Sequence, residues 1–378
     1  MTSDEKLPIS EDSSTGTEAP AGLALTRRGF MGGAGATLLT LASPLSAEAL
    51  SSGRGRASGN RLTVLPEDGR ATYFDAIDSA TQQIRIEICV LEDPQILAHI
   101  RAALHRGVSV RAIVDSRKYH DLVSERQNLE IFLTSEGGEL HLSNPIFPRS
   151  FPKIVLIDDN LLVYGSACLD QTTFQRYRDF ATTSNDPQVL QDLHRLFDND
   201  WLYSAEVGQT PPPFNPTSPF SAPDLLISPV NSAAKLVALY QSARHTLDVY
   251  SEILGNPTLE SELVAAVNRG VKVRMISPFN VNGGSLRVEQ RQFNSLTALS
   301  AAGVDVHVNG AETPPFPYMH ARADMVDGQI GYLGSDSFSP DSITFNREMG
   351  LILHDPDLLQ QLQAQFESDY TLLTKKFY

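Results

Sequence analysis

Two stretches of the 378-residue sequence combine residue types that suit phosphate chemistry. The second stretch has the pattern H-x-R-x4-D, with His320, Arg322 and Asp327, and it continues to Gly334-Ser335 and Glu348. An imidazole nitrogen is a nucleophile, and a cation beside it holds a phosphate group for attack. On a strand, His320 and Arg322 would share one face, because side chains alternate along a strand. The pattern therefore predicts a site that binds a phosphate group and attacks it.

Two more residues of this stretch fit the same site. Turn residues at Asp327-Gly328 predict a hairpin that returns the chain and brings Ser335 near His320, where its hydroxyl would donate to a phosphate oxygen. A carboxylate on the second ring nitrogen of a histidine fixes its tautomer and aims the reactive nitrogen. We assign that role to Glu348.

The first stretch repeats this pattern with one severe departure. Phe151 stands where the second stretch has His320, and it is followed by Lys153, by Asp158 and by Ser166. Lys153 and Ser166 are the predicted phosphate ligands of this copy, and Asp158 is its motif aspartate, as Asp327 is in the other copy. Phenylalanine has no lone pair and no transferable proton, so Phe151 is neither a nucleophile nor an acid.

The carboxylate of the first copy also differs from that of the second. Asp179 corresponds to Glu348 and is one methylene shorter. Because it is the counterpart of the orienting carboxylate, we expect Asp179 to contribute to the structure of the first motif.

The whole chain, and not only the motif, is duplicated. The segment LHRGVSVRAI, at 104–113, aligns with VNRGVKVRMI, at 267–276. Asn256-Pro257 is typical of a helix start and Gly270 of a helix stop, and the residues after Gly270 alternate as in a strand. Strands that alternate with helices in both copies predict an α/β fold.

Composition divides the chain further. Arg27-Arg28 precedes a weakly apolar run, and small residues at Ala47 and Ala49 follow, which is typical of a twin-arginine export signal. The segment near 208–224 is Pro-rich and predicts a stiff connector. We therefore divide the chain into an export signal at 1–49, a linker at 50–60, a first repeat at 61–205, a connector at 206–226 and a second repeat at 227–378. The mature protein is expected to be periplasmic or secreted.

Charge and cysteine content restrict the function. The formal net charge of −15 disfavours wide contact with nucleic acid, which needs a basic surface. The two cysteines, Cys89 and Cys168, rule out a cysteine-rich zinc site. They are either two buried thiols, which we favour, or one disulfide formed after export.

The duplicated motif resembles that of the phospholipase D superfamily, whose HxKx4D pattern occurs twice in its fused members. The resemblance covers most of the chain from about residue 60 onward and implies two repeats related by a pseudo-twofold axis, each with a mixed β-sheet flanked by helices. It implies that one histidine forms a phosphohistidine intermediate while the other protonates the leaving alcohol, with no metal or cofactor. For an exported acidic protein it implies a phospholipid substrate, as in phospholipase D or cardiolipin synthase. A nuclease is disfavoured, peripheral membrane contact is left open, and the fused repeats imply a monomer.

The departure at Phe151 leaves three alternatives. The first, which we favour, is an enzyme that uses His320 and takes the missing proton from water or from another side chain, such as His120 or His141. The second is a catalytically impaired descendant that binds phosphate or phospholipid head groups. The third is a pair of chains that bring two copies of His320 to one interface.

Overall fold

The computed structural model describes residues 61–216, 220–309 and 317–378, and these ranges hold both repeats. The predicted export signal at 1–49 and the linker at 50–60 lie outside the described residues. Within the Pro-rich connector predicted at 206–226, residues 217–219 lie outside the described residues. A strand begins at Leu225, before the predicted end of the connector.

The first repeat alternates strands and helices as the sequence predicts. Its elements are β1 Thr63–Leu65, α1 Ala71–Ser79, β2 Gln83–Ile88, α2 Pro94–His105, β3 Ser109–Val114, α3 Ser116–Asp121, α4 Val123–Ser135, β4 Glu139–Leu142, β5 Ile154–Ile157, β6 Leu161–Gly165, α5 Gln171–Arg176, β7 Tyr177–Ser184, α6 Pro187–Leu202 and β8 Ala205–Glu206.

The second repeat follows the same plan. Its elements are β9 Leu225–Ser228, α7 Ser232–Ser242, β10 Thr246–Tyr250, α8 Pro257–Asn268, β11 Lys272–Pro278, α9 Leu286–Ala301, β12 Asp305–Asn309, β13 Tyr318–Met319, β14 Ala323–Val326, β15 Ile330–Gly334, β16 Glu348–Leu353, α10 Pro356–Ser368, a π-helical turn Asp369–Leu373 and β17 Lys375–Lys376.

The two sheets have the same strand order. The first runs β1-β7-β6-β5-β2-β3-β4-β8 and the second, in corresponding order, β9-β16-β15-β14-β10-β11-β12-β17. Three strands are parallel in each sheet: β2, β3 and β4 in the first, and β10, β11 and β12 in the second. The motif strands β5 and β14 pair with β2 and β10 in the antiparallel direction. The predicted α/β fold with two mixed sheets is confirmed.

Local sequence signals explain where the parallel strands are placed. Asn256 caps α8 by accepting from the amides of Thr258 and Leu259, and Pro257 occupies the first turn. Gly270 has a φ of 88°, a left-handed conformation that ends the helix just before β11. The predicted helix start and stop are both confirmed, and they fix where β11 enters the sheet.

Three hydrophobic cores hold the fold together. One core is shared by the repeats and packs α6 and α10 with side chains of both sheets, including Leu193, Met349 and Phe366. Each repeat also has an outer core, beneath α1 and α2 in the first and beneath α7 and α8 in the second. Because the shared core draws on both repeats, their relative position is fixed by packing. No helix in the described ranges is long and apolar enough to cross a membrane.

The two cysteines form a disulfide, so the preference for free thiols is wrong. Cys89 and Cys168 are bonded, with their Cα atoms 6.3 Å apart. The bond joins the end of β2 to the loop after β6, which lie on neighbouring parts of the first sheet. The sequence did not predict this pairing, because Cys89 and Cys168 are far apart in the chain. They come together only when β5 pairs with β2 and β6 pairs with β5.

Candidate active site

The motif segment of each repeat is tied to the other repeat. The short strand β13 pairs in parallel with β7, and the amide of His320 donates to the carbonyl of Arg178 at 3.1 Å. At the corresponding place in the first repeat, the amide of Phe151 donates to the carbonyl of Arg347 at 2.7 Å. The exchange places each motif beside the carboxylate of the opposite repeat.

Asp179, and not Glu348, orients His320. The Nδ1 atom of His320 lies 2.9 Å from Oδ1 and 2.8 Å from Oδ2 of Asp179, and the Asp179 side chain is fully buried. The prediction that Glu348 has this role is wrong, because it assumed that a histidine and its carboxylate come from the same copy. With Nδ1–H engaged by Asp179, the lone pair of the neutral ring lies on Nε2.

Glu348 is the counterpart of Asp179 in the second repeat, and it follows Arg347, whose carbonyl accepts from the amide of Phe151. Its Oε1 atom accepts from the side-chain amide of Asn346 at 2.8 Å, and its buried Oε2 atom has no hydrogen-bond partner. Burial, reinforced by the nearby Asp336, raises the pKa of Glu348 to about 8. The carboxyl group of Glu348 is thus largely protonated near pH 7.

The two motif cations lie in the same cavity as His320. A cavity of about 680 Å³ is lined by residues of both repeats, among them Lys153, His320 and Arg322. The Nζ atom of Lys153 donates to the carbonyl of Ser166, and burial together with Arg322 lowers the pKa of Lys153 to about 7. A bound phosphate anion would favour the charged form of Lys153.

These cations do not lie on strands. Lys153 precedes β5 and has a φ of 55°, and Arg322 lies in the gap between β13 and β14. His320 also lies outside β13 and β14, so the two residues do not share a face of one strand as expected, although both line the cavity.

Burial also sets the charge of the reactive groups. It lowers the pKa of His320 well below its usual range, although Glu252 acts in the opposite direction. It raises the pKa of Asp179 to about 7, against the opposing effect of Lys153. The imidazole of His320 is therefore neutral and nucleophilic at pH 7.

The two motif serines do not face the cavity. The hydroxyl of Ser166 donates to Asp179 at 2.6 Å and accepts from the amide of Phe180 at 3.0 Å. The hydroxyl of Ser335 accepts from the amide of Met349 at 3.0 Å. Neither serine is among the residues that line the cavity, because each hydroxyl joins neighbouring strands, so the structure does not bring them to the predicted phosphate site. Ser166 instead supports the carboxylate that orients His320.

The motif aspartates hold the backbone. Asp158 accepts from the amides of Gln82 and Gln83 at 2.8 and 2.9 Å, and Asp327 accepts from those of His245 and Thr246, both at 2.7 Å. Each aspartate thus fastens the hairpin of its motif to the start of the central parallel strand. The hairpins predicted at these two turns are present as β5–β6 and β14–β15.

Sequence reasoning missed Glu252. It is 6% exposed and lines the cavity, with its Oε2 atom 2.5 Å from Nη2 of Arg322 and 3.6 Å from Nε2 of His320. The usable signal was a carboxylate two residues after the buried strand β10 and followed by two apolar residues, since a buried charge needs a partner. Its counterpart in the first repeat is Cys89, so comparison of the repeats alone could not have found it.

The suggested substitutes for the missing acid lie elsewhere. His120 is exposed beside Asp121, and His141 stacks on Trp201 and contacts Ser204. Neither is among the residues that line the cavity. In the described ranges, no group of three His, Cys, Asp or Glu side chains is arranged to hold a metal ion.

Two fused α/β repeats that meet at one histidine, an orienting carboxylate and the two motif cations define a protein of the phospholipase D type. Residues 73–201 and 236–370 match the family model described as "Cardiolipin synthase, PLD-like domain". These segments make up more than half of the chain, which therefore belongs to this family, and the resemblance seen in the sequence is confirmed.

Individual relatives are more distant. The chain is 29% identical to cardiolipin synthase A of Pseudomonas entomophila (strain L48) over 145 residues, which cover 38% of this chain and 30% of that protein. It is 23% identical to cardiolipin synthase 1 of Bacillus anthracis over 357 residues, which cover 84% of this chain and 68% of that protein. The solved structure of phosphatidylserine synthase from Haemophilus influenzae Rd KW20 has the same fold, with a TM-score of 0.65, 14% identity and coverage of 85% of this chain and 88% of that one.

The exchange of carboxylates between repeats predicts which variant disturbs His320. Asp179→Asn should remove the preference for the Nδ1–H tautomer and slow any reaction at Nε2 by about 10²- to 10⁴-fold. The matched variant Glu348→Gln should leave the tautomer unchanged. Long-range ¹H–¹⁵N NMR spectra of the histidine rings report the tautomer directly. A change of the His320 tautomer in Glu348→Gln, with no change in Asp179→Asn, would contradict the assignment of Asp179 as the orienting carboxylate.

Proposed function

We propose that this protein is a phospholipase D-like phosphodiesterase or phosphatidyltransferase that acts on phospholipid through a phosphohistidine at His320. One observation carries the proposal: Nδ1 of His320 is held by Asp179, while the ring lines a cavity that also contains Lys153 and Arg322. A neutral imidazole, aimed by a carboxylate at a place where two cations bind phosphate, is suited to nucleophilic attack on phosphorus.

The proposed reaction has two displacements. The lone pair of Nε2 of His320 forms a bond to phosphorus as the bond to the leaving alcohol oxygen breaks, while Lys153 and Arg322 hold the non-bridging oxygens. The leaving oxygen takes a proton from water. Water or an acceptor alcohol then attacks phosphorus, loses its own proton to solvent and displaces Nε2, which restores the neutral imidazole.

The first displacement lacks a positioned acid. Phe151 lines the cavity at the place of the second histidine and cannot donate a proton. Loss of a positioned acid costs a factor of about 10² to 10⁴, and less when the leaving group is already a weak base. The reaction should therefore be slow on alkyl esters and faster on activated ones.

The choice of phospholipid rests on three observations. The relatives in sequence and structure are named cardiolipin synthases and a phosphatidylserine synthase. The acidic chain lacks the charge that a nuclease needs. The cavity volume, about 680 Å³, lies within the range usual for small-molecule sites and would accommodate a lipid head group.

Phe151 also supports a second candidate, a protein that binds phosphate or phospholipid head groups without turnover. The cations of the cavity would serve either function. The two candidates differ only in whether Nε2 of His320 forms a covalent bond to phosphorus.

His320→Ala separates these two candidates. We expect the wild type to hydrolyse an activated aryl phosphodiester and to form an acid-labile phosphoryl adduct visible by mass spectrometry. His320→Ala should lose the adduct and at least about 10³-fold of the rate, because it removes the nucleophile. His354→Ala is the matched control, since this histidine is exposed and pairs with Asp224. A wild type that binds the ester without adduct or turnover is a binding protein.

Phe151→His tests the half of the site that lacks a histidine. By the symmetry of the two repeats, we expect Glu348, and not Asp179, to orient the new imidazole. The variant should gain about 10²-fold on esters with poor leaving groups and much less on aryl esters, because only the former need an acid. Adding Glu348→Gln should remove this gain. Equal effects on both kinds of ester would instead indicate a change in packing.

We also propose that the protein is exported by the twin-arginine route to the periplasm or the exterior. Support comes from Arg27-Arg28 before a weakly apolar run and from the Cys89–Cys168 bond, because disulfides persist in oxidising compartments. Replacing both arginines with lysine should trap the precursor in the cytoplasm, as seen by cell fractionation. Normal export of that variant would require another route.

A further inference from the structure

The Glu252 carboxylate borders the space that the proposed function gives to phosphate. Its Oε2 atom is 2.5 Å from Arg322 and 3.6 Å from Nε2 of His320, and its Oε1 atom accepts from the hydroxyl of Tyr318 at 3.0 Å. The residue is 6% exposed. A buried carboxylate thus contacts the cation that would bind phosphate and lies beside the atom that would attack it.

Glu252 is not the missing acid. In an in-line displacement the leaving oxygen lies on the far side of phosphorus from the attacking nitrogen. The Glu252 carboxylate is 3.6 Å from Nε2 of His320 and so lies on the side of the attacking nitrogen. From there it does not reach the leaving oxygen on the opposite side of phosphorus. The fold does not require a carboxylate here either, because the corresponding residue of the first repeat, Cys89, is bonded to Cys168.

The placement has an electrostatic consequence for the ligand. Any phosphate held by Arg322 and attacked by His320 must lie within a few ångströms of the Glu252 carboxylate. Like charges at such a distance repel strongly where water is largely excluded. The repulsion grows with ligand charge, so a phosphodiester with one negative charge is accepted more readily than a monoester with two.

We propose that Glu252 is a specificity-determining residue that makes the site select phosphodiesters over phosphomonoesters. The inference rests on the proposed function and deepens it. Hydrolysis of a diester yields a monoester that gains a second negative charge, so Glu252 also favours release of the product. A site with Lys153 and Arg322 but without this carboxylate would prefer the dianion.

The test measures binding of two small probes, dimethyl phosphate and methyl phosphate, to the full chain at pH 8. At this pH the monoester carries two charges, because its second pKa is about 6. Wild type should bind dimethyl phosphate more tightly than methyl phosphate. Glu252→Gln keeps an acceptor for Arg322 and Tyr318 and should shift the ratio of dissociation constants toward the monoester by at least about tenfold.

Two control variants isolate the charge. Glu252→Asp keeps the charge and should keep the preference for the diester. Glu92→Gln removes a carboxylate from another part of the same cavity wall, beside Tyr119, and should leave the ratio unchanged. A role of Glu252 only in holding Arg322 would weaken both probes in Glu252→Gln without altering their ratio.

The outcomes also separate this inference from the proposed function. A wild type that prefers methyl phosphate, or a ratio unchanged in Glu252→Gln, overturns the role of Glu252 and leaves the phosphate site intact. If Glu252→Gln does not fold, the preference of the wild type alone decides whether this role stands. Failure of the wild type to bind either probe contradicts the phosphate site itself, and with it both proposals.

Discussion

The architecture depends on a reciprocal exchange of charged side chains between the two repeats. Arg178 of the first repeat lies 2.9 Å from Asp369 of the second, and Arg347 of the second donates to Asp200 of the first at 2.9 Å. All four side chains are buried. Buried ion pairs add little net stability, but separating the partners would leave unpaired charges in a core, which is strongly unfavourable. The repeats can therefore meet in one arrangement only, and the shared apolar core is built around it.

The active site follows from that exchange. Arg178 is next to Asp179 in the chain, and Arg347 is next to Glu348. Anchoring each arginine to the opposite repeat therefore also positions the carboxylate that follows it. The carbonyls of these arginines also hold the motif backbones at His320 and Phe151. Symmetry thus provides two places for a histidine and two carboxylates to orient them. Only one of these places has a histidine, which explains why Glu348 is a buried acid without an imidazole.

Exclusion of water gives the site its chemical character. Burial raises the pKa of Asp179 and lowers that of Lys153, in both cases to about 7, and it keeps His320 neutral. Two cations and two carboxylates then share a small volume, so the charge of an entering ligand decides whether it binds. Arg322 is paired with Glu252 through Nη2, while its buried Nε atom has no hydrogen-bond partner in the described ranges.

The sequence by itself determined the repeat, the α/β class and the residues His320, Lys153 and Arg322, because helix caps, strand periodicity and motif spacing are local properties. It also showed that Phe151 breaks one half of the motif. It did not determine that Asp179 orients His320, that Cys89 bonds Cys168, or that Ser166 and Ser335 lie outside the cavity lining. Glu252 also carried no motif of its own. Each of these depends on which strands lie side by side after folding, and contacts between distant segments are set by the packing of the two repeats, not by spacing along the chain.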